Sequence, residues 1–359
     1  LLADYNLAPV GSGPYQFSDS DKDSNGNMLS YELRVFPEYF LGRPYIKTII
    51  FQFYPDERSL LDAYNRKEVL GINSVLPENL PELEAHKSTR VYEMAIPRIF
   101  GVFFNVTKSA PLAYDEVREA LALATDRETI IRQVLAGKGE VADTAILPFM
   151  NGYASDLAFP RFDEGRANDL LDQKNWKRGN DGVRAKDGTV LEFTLLVPDW
   201  PELSKTADIL KEQWGKVGAK VTVTVENATD LQQNAVRPRE YQALLFGEAA
   251  MIDSDPYSFW HSSQKNDPGL NLALFDNKDA DTVLLSLREE LNREKRQEYY
   301  RTFQEIILRE HPAVFLYSPK YLFVANSAIK VAEVKSANAP AHRLGMIKDW
   351  YVKTKRIKK

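Results

Sequence analysis

Apolar and polar positions along the chain follow two periods, one of two residues and one of three to four, which predict strands and helices in alternation. The clearest unit runs through residues 191–226. LEFTLLV reads as a buried strand and KVTVTVE as another. Between them ELSKTADILKEQWGKVG places Leu203, Ala207, Leu210, Trp214 and Val217 on one helical stripe that ends at Gly218. A strand, a helix and a strand in this order predict a βαβ crossover, right-handed with its strands parallel. A short helix after Thr229 leads into a further buried strand, Ala243–Phe246, which runs out into small, acidic and turn-forming residues.

The same patterning organises the rest. Tyr15 and Phe17 pair in a predicted hairpin with Tyr31, Leu33 and Val35, and a strand over IKTIIFQF precedes a helix capped by Asp56. RVYEMAIPRIFGVFFNVT reads as two strands broken at Ile96-Pro97. Residues 114–137 predict a helix pair, the first capped by Asp115, the second opened by a Thr125/Glu128 capping box and closed by Gly137. Asp163 starts a short helix. Two more begin near Asp279 and at Arg293, the latter ending at His311-Pro312 before the strand AVFLYSP. The last forty residues read as strands ending near Trp350-Tyr351. Trp176, Trp214 and Trp350 are expected to pack inside.

Composition narrows the function classes. With 359 residues, 44% of them hydrophobic, the chain is long enough for two lobes with separate cores. Its 46 basic against 51 acidic residues give a formal charge of −5, which leaves no footprint for nucleic acid. The basic tail KTKRIKK reads as a solvated terminus. The absence of cysteine removes thiol chemistry and disulfides, and the four dispersed histidines do not form a zinc site. The loop DSDKDSNGNMLSYE fits the twelve-residue calcium pattern with Asp21, Asp23, Asn25, Gly26 and Glu32. Strands flank it instead of helices and position nine is the apolar Leu29, so it reads as a hairpin tip and no cofactor is expected. Neither G-x-S-x-G, HExxH nor a phosphate-binding glycine loop occurs.

The ordered set PVGSGPYQF, RPYIKTIIFQF, FFNVTKSAPLAYDEVREALALATDRETIIRQVLAGKG, RFDEGRANDLLDQKNW, WGKVGAKVTVT, DSDPYSFW, the 279–319 stretch and the closing DWY resembles the extracellular solute-binding proteins of family 5, which include the oligopeptide- and dipeptide-binding receptors of ABC importers. The resemblance is collinear over nearly the whole chain. It implies an α/β, bilobal periplasmic-binding-protein-like fold of type II that encloses a ligand between lobes. It also implies that an N-terminal portion is missing. The first lobe, 1–104 completed by 318–359, is therefore expected to be incomplete, and the second, 105–317, complete. A peptide or other small solute, a membrane ABC permease, a monomeric state and a periplasmic or extracellular location, anchored as a lipoprotein, are further implications.

The stretch YQALLFGEAAMIDSDPYSFWHSSQ carries the expected site: Phe246, Gly247, Glu248, Ala249, Asp253, Asp255 and Trp260, with Tyr317 at the end of a later strand. In peptide-binding members the corresponding strand pairs with the ligand main chain, and an Asp three residues before the acid of the Asp-Pro pair holds the α-ammonium. Here that position is Ile252, and Asp253 is one residue off. The Trp expected earlier on the strand falls at Ala249. Two other functions are weighed: a hydrolase such as a glycosidase that uses Glu248 with Asp253 or Asp255, and a non-transporting sensor of the same fold.

Overall fold

The computed structural model describes residues 4–353. The tail TKRIKK beyond Lys353 is outside the described residues. The chain forms two compact units, Leu1–Met94 with Tyr321–Lys359, and Ala95–Lys320. The divisions fall at 94/95 and 320/321 instead of 104/105 and 317/318, because the strand Arg98–Phe104 pairs inside the larger unit.

In the smaller unit the predicted hairpin forms with the expected partners, Tyr15 opposite Val35 and Phe17 opposite Leu33. Met28–Val35 pairs in turn with Thr48–Gln52. The pleat sends alternate side chains to opposite faces, so Ile49 packs on the core of Tyr92, Phe323 and Trp350 while Ile50 is exposed. The hairpin tip is an Asx turn. The Asp23 carboxylate accepts from the backbone N–H groups of Asn25 and Asn27 and from the Asn27 amide, each at 2.8 Å, and Gly26 takes the left-handed conformation (φ 83°) that the turn needs. These bonds hold the Asp23 pKa below the ordinary range. Asp21 and Glu32 lie in the flanking strands, and among the described residues no three acidic or histidine side chains gather into a metal cluster. Asp56 caps its helix by accepting from Ser59 N at 2.7 Å. The last forty residues meet expectation only in part: the strand Ala313–Asn326 runs into them, but beyond it the C-terminal run holds, among the described residues, only the two-residue strands Ile329–Lys330 and Tyr351–Val352 and two 3-10 turns. Its polar residues, with one proline, leave no uninterrupted alternation to build a sheet on.

The larger unit is a mixed sheet with helices on both faces. Glu192–Pro198 and Lys220–Glu226 are parallel, joined by the helix Pro201–Lys216, as the spacing predicts. Ala243–Ala249 lies parallel to Glu192–Pro198 and antiparallel to Arg98–Phe104, which pairs with the first half of the strand Ala313–Asn326. One core, on the helix Pro201–Lys216 side, holds Trp176, Trp214, Phe104, Leu245 and Tyr317. The other holds Ile99, Phe103, Leu244, Trp260 and Phe315 under the helices Lys278–Glu289 and Arg293–Glu310.

Local chemistry fixes several helix ends. Asp163 caps the helix Glu164–Gln173. Two expected caps are corrected. Asp115 accepts from Arg118 at 2.6 Å and leaves the N-cap to Tyr114, with no side-chain bond. The next helix is capped by Asp126, which accepts from Thr129 N at 2.9 Å, because the Thr125 hydroxyl donates back to Leu121 O in the preceding helix. His311 ends the helix Arg293–Glu310 in the left-handed conformation, φ 47°, and Pro312 prevents its continuation.

Candidate binding site

The strand Ala243–Ala249 places the expected site residues. Its even positions Leu244, Phe246 and Glu248 share the face of the Trp260 core. Its odd positions Leu245 and Gly247 share the face of the Tyr317 core. Gly247 lies against the Phe100 ring, which a Cβ would meet at 2.7 Å. On one side the strand pairs with Arg98–Phe104 along its full length. On the other, its register with Glu192–Pro198 covers Ala243 and Leu244 alone. Leu245 to Ala249 therefore have no second strand partner among the described residues. An edge of this kind leaves main-chain donors and acceptors able to take an added extended segment.

Beyond the strand the chain turns. Asn151 donates its backbone N–H to Ile252 O at 2.8 Å and its side-chain amide to the Asp253 carboxylate at 3.4 Å. Asp253 is exposed, and no cation is paired with it among the described residues. Asp255 differs. Arg288 donates to its carboxylate from Nη2 at 2.6 Å and from Nε at 3.0 Å, and the bound carboxylate, by hydrogen bond first and then by charge, holds the guanidinium pKa above its ordinary value. A carboxylate gripped in this way is not a free anion for a ligand or for acid–base work. The ligand role expected of Asp255 therefore competes with this ion pair.

Two aromatic residues of the expected site are buried. Trp260 is 1% exposed, its ring among Phe103, Phe275 and Phe315. Tyr317 is also 1% exposed; its hydroxyl lies 3.1 Å from the Thr206 hydroxyl, and burial pushes its pKa up to about 12. Both complete cores, because each lies on a strand face or helix turn that points inward.

Glu248 is unlike the other acids. It is 4% exposed, and its Oε1 is buried with no hydrogen-bond partner. Burial raises its pKa well above the ordinary carboxylate range, with no charged neighbour opposing the shift. Trp200 joins Phe246 from the end of the neighbouring parallel strand, at the start of the helix Pro201–Lys216. The two rings stack with centroids 6.2 Å apart and planes 27° apart, and Trp200 remains 41% exposed. Sequence reasoning missed Trp200 and Asn151. The signal for Trp200 was its place directly after a parallel strand and before a helix, where α/β folds commonly bind ligands.

No helix among the described residues is long and apolar enough to cross a membrane. The family model described as bacterial extracellular solute-binding proteins, family 5 Middle, matches residues 2–269. The chain is 28% identical over 316 residues to the oligopeptide-binding protein AppA of Bacillus subtilis (strain 168), which covers 87% of this chain and 57% of that protein. To the dipeptide-binding protein of Escherichia coli (strain K12) it is 24% identical over 314 residues, 87% of this chain and 56% of that one. The solved structure of the Bacillus subtilis AppA in complex with a nonapeptide superposes with a TM-score of 0.71 at 25% identity, covering 96% of this chain and 67% of that chain. The chain thus spans somewhat more than half the length of these curated relatives.

Proposed function

We propose that this chain, which belongs to the bacterial extracellular solute-binding proteins of family 5, captures a peptide-like solute outside the cytoplasmic membrane for an ABC importer. The observation that carries the reading is the open edge from Leu245 to Ala249. An extended peptide adds its main chain there, where hydrogen bonds give affinity irrespective of side chains. Asp253, exposed and without a cationic partner among the described residues just beyond that edge, then receives the ligand's ammonium group. The relatives named for oligopeptides and dipeptides support a peptide ligand.

In this reading the protein binds without chemistry, works as a monomer, hands its solute to a membrane permease and is held at the cell surface as a lipoprotein. The engagement of Asp255 by Arg288 weighs against a paired-carboxylate hydrolase that uses that residue. Native mass spectrometry of the freshly purified full-length protein, with thermal-shift screening against a peptide library, tests the proposal. A co-purified peptide, or a rise in melting temperature confined to peptides, is expected. An unliganded protein that no peptide stabilises would overturn it.

A further inference from the structure

We infer that Trp200, Phe246 and Glu248 form one subsite of the larger unit for a cationic group carried on an apolar stem, such as an amine- or guanidinium-bearing side chain of the bound solute. The inference rests on the peptide-capture reading and adds a preference that the open edge alone does not create. Phe246 and Glu248 stand two residues apart on the same face of one strand, about 7 Å along it. The exposed Trp200 ring stacked on Phe246 extends that face into a flat apolar platform. Such a platform packs alkyl stems and attracts the charge at their ends. At its far end is a carboxyl group almost withdrawn from water.

The carboxyl is the second, independent observation. Its neighbours are apolar: Ile99 opposite on Arg98–Phe104, and Phe246 along its own strand. Arg98 stands opposite Ala249, on the other face of the ladder, and among the described residues no charged group acts on Glu248. A buried carboxyl with an oxygen left unbonded is costly unless it is neutral or meets a cation. In the free protein the same burial favours its protonated form. An arriving ammonium or guanidinium group favours the carboxylate, so the proton leaves to solvent as the cation seats.

Isothermal titration of the full-length protein with three peptides that differ at one position, Lys, norleucine and Glu, tests this in two buffers of different ionisation enthalpy at neutral pH. The Lys peptide is expected to bind at least tenfold more tightly than the norleucine peptide and to release a proton that the norleucine peptide does not. Glu248→Gln, the neutral isostere, removes the proton release and lowers the affinity for the Lys peptide to that for the norleucine peptide. Trp200→Ala weakens Lys and norleucine peptides together. Equal affinity for Lys and norleucine, or an equal loss for both in Glu248→Gln, would overturn the subsite and leave peptide capture standing. Failure of all three peptides to bind would overturn both.

Discussion

Arg288 grips Asp255 with two nitrogens, Nη2 at 2.6 Å and Nε at 3.0 Å, while its guanidinium lies 3.8 Å from the centroid of the Tyr257 ring. One arginine thus ties the acid of the Asp-Pro turn to the helix Lys278–Glu289 and covers the ring that follows. The pair is partly exposed, with side chains 42% and 47% accessible, so solvent screens most of its charge. Asp255→Asn is expected to cost about 1 kcal/mol or less in urea denaturation and to leave peptide affinity within about twofold. A tenfold loss of affinity with unchanged stability would return Asp255 to the ligand site.

Arg184 is the opposite case. It is 1% exposed, and its guanidinium donates to Asp172, to the carbonyls of Trp176 and Val217, and to Asn168. It ties the Glu164–Gln173 helix and its C-terminal turn to the end of the Pro201–Lys216 helix. Truncation leaves two carbonyls and a carboxylate without their donor. Arg184→Ala is expected to destabilise the protein by about 3–5 kcal/mol. Asp172→Asn, at a side chain 64% exposed, should cost far less. Equal losses for the two would mean that the ion pair, not the bonds to the backbone, fastens this corner.

Much of this arrangement was legible in the residues. The βαβ unit followed from one stripe of five apolar positions, and the hairpin pairing from two aromatic–aliphatic pairs, Tyr15 with Val35 and Phe17 with Leu33, because both depend on periodicity alone. Competition between neighbouring polar groups was less legible. Thr125 and Asp126 can each cap a helix, and the choice turned on a carbonyl at Leu121 that the Thr hydroxyl reaches first. The tryptophans show the same limit. Trp260 stood beside the acidic turn in sequence yet faces the core, whereas Trp200 stood forty-six residues before Phe246 and meets its ring. Sequence adjacency located the turn, but side-chain direction decided which aromatic reaches the surface. The placement of Glu248 was implicit in alternation from Leu244, although the pattern could not say how deeply that face is covered.

Asp253 supplies the sharpest test of ligand class. Among the described residues its carboxylate keeps only the 3.4 Å contact from Asn151. If it receives a terminal ammonium, Asp253→Asn should lower the affinity for a peptide with a free amino terminus by roughly ten- to a hundredfold, the scale of a charge-assisted bond of about 1.5–3 kcal/mol. The N-acetylated peptide should bind weakly and equally to both proteins. Calorimetry that finds the free and acetylated peptides indistinguishable in the unmutated protein would place the ligand's amino terminus elsewhere.

Glu248 makes stability depend on pH with a defined sign. Its folded pKa is raised by burial, so between the ordinary glutamate value, about 4.3, and the raised folded value the folded protein binds a proton that the unfolded chain has released. Stability contributed by this group is therefore fully present below the ordinary value and declines as pH rises through that window. Above the folded pKa the decline stops, because both states are then ionised. Glu248→Gln cannot ionise and should lack this contribution. The expected result is a stability difference, variant minus unmutated protein, that grows as pH rises from 4 through the window up to the raised folded value, in urea denaturation at each pH. A difference that stays flat across that range would mean that Glu248 ionises in the folded protein at its ordinary pKa, and the buried-carboxyl account would fall with it.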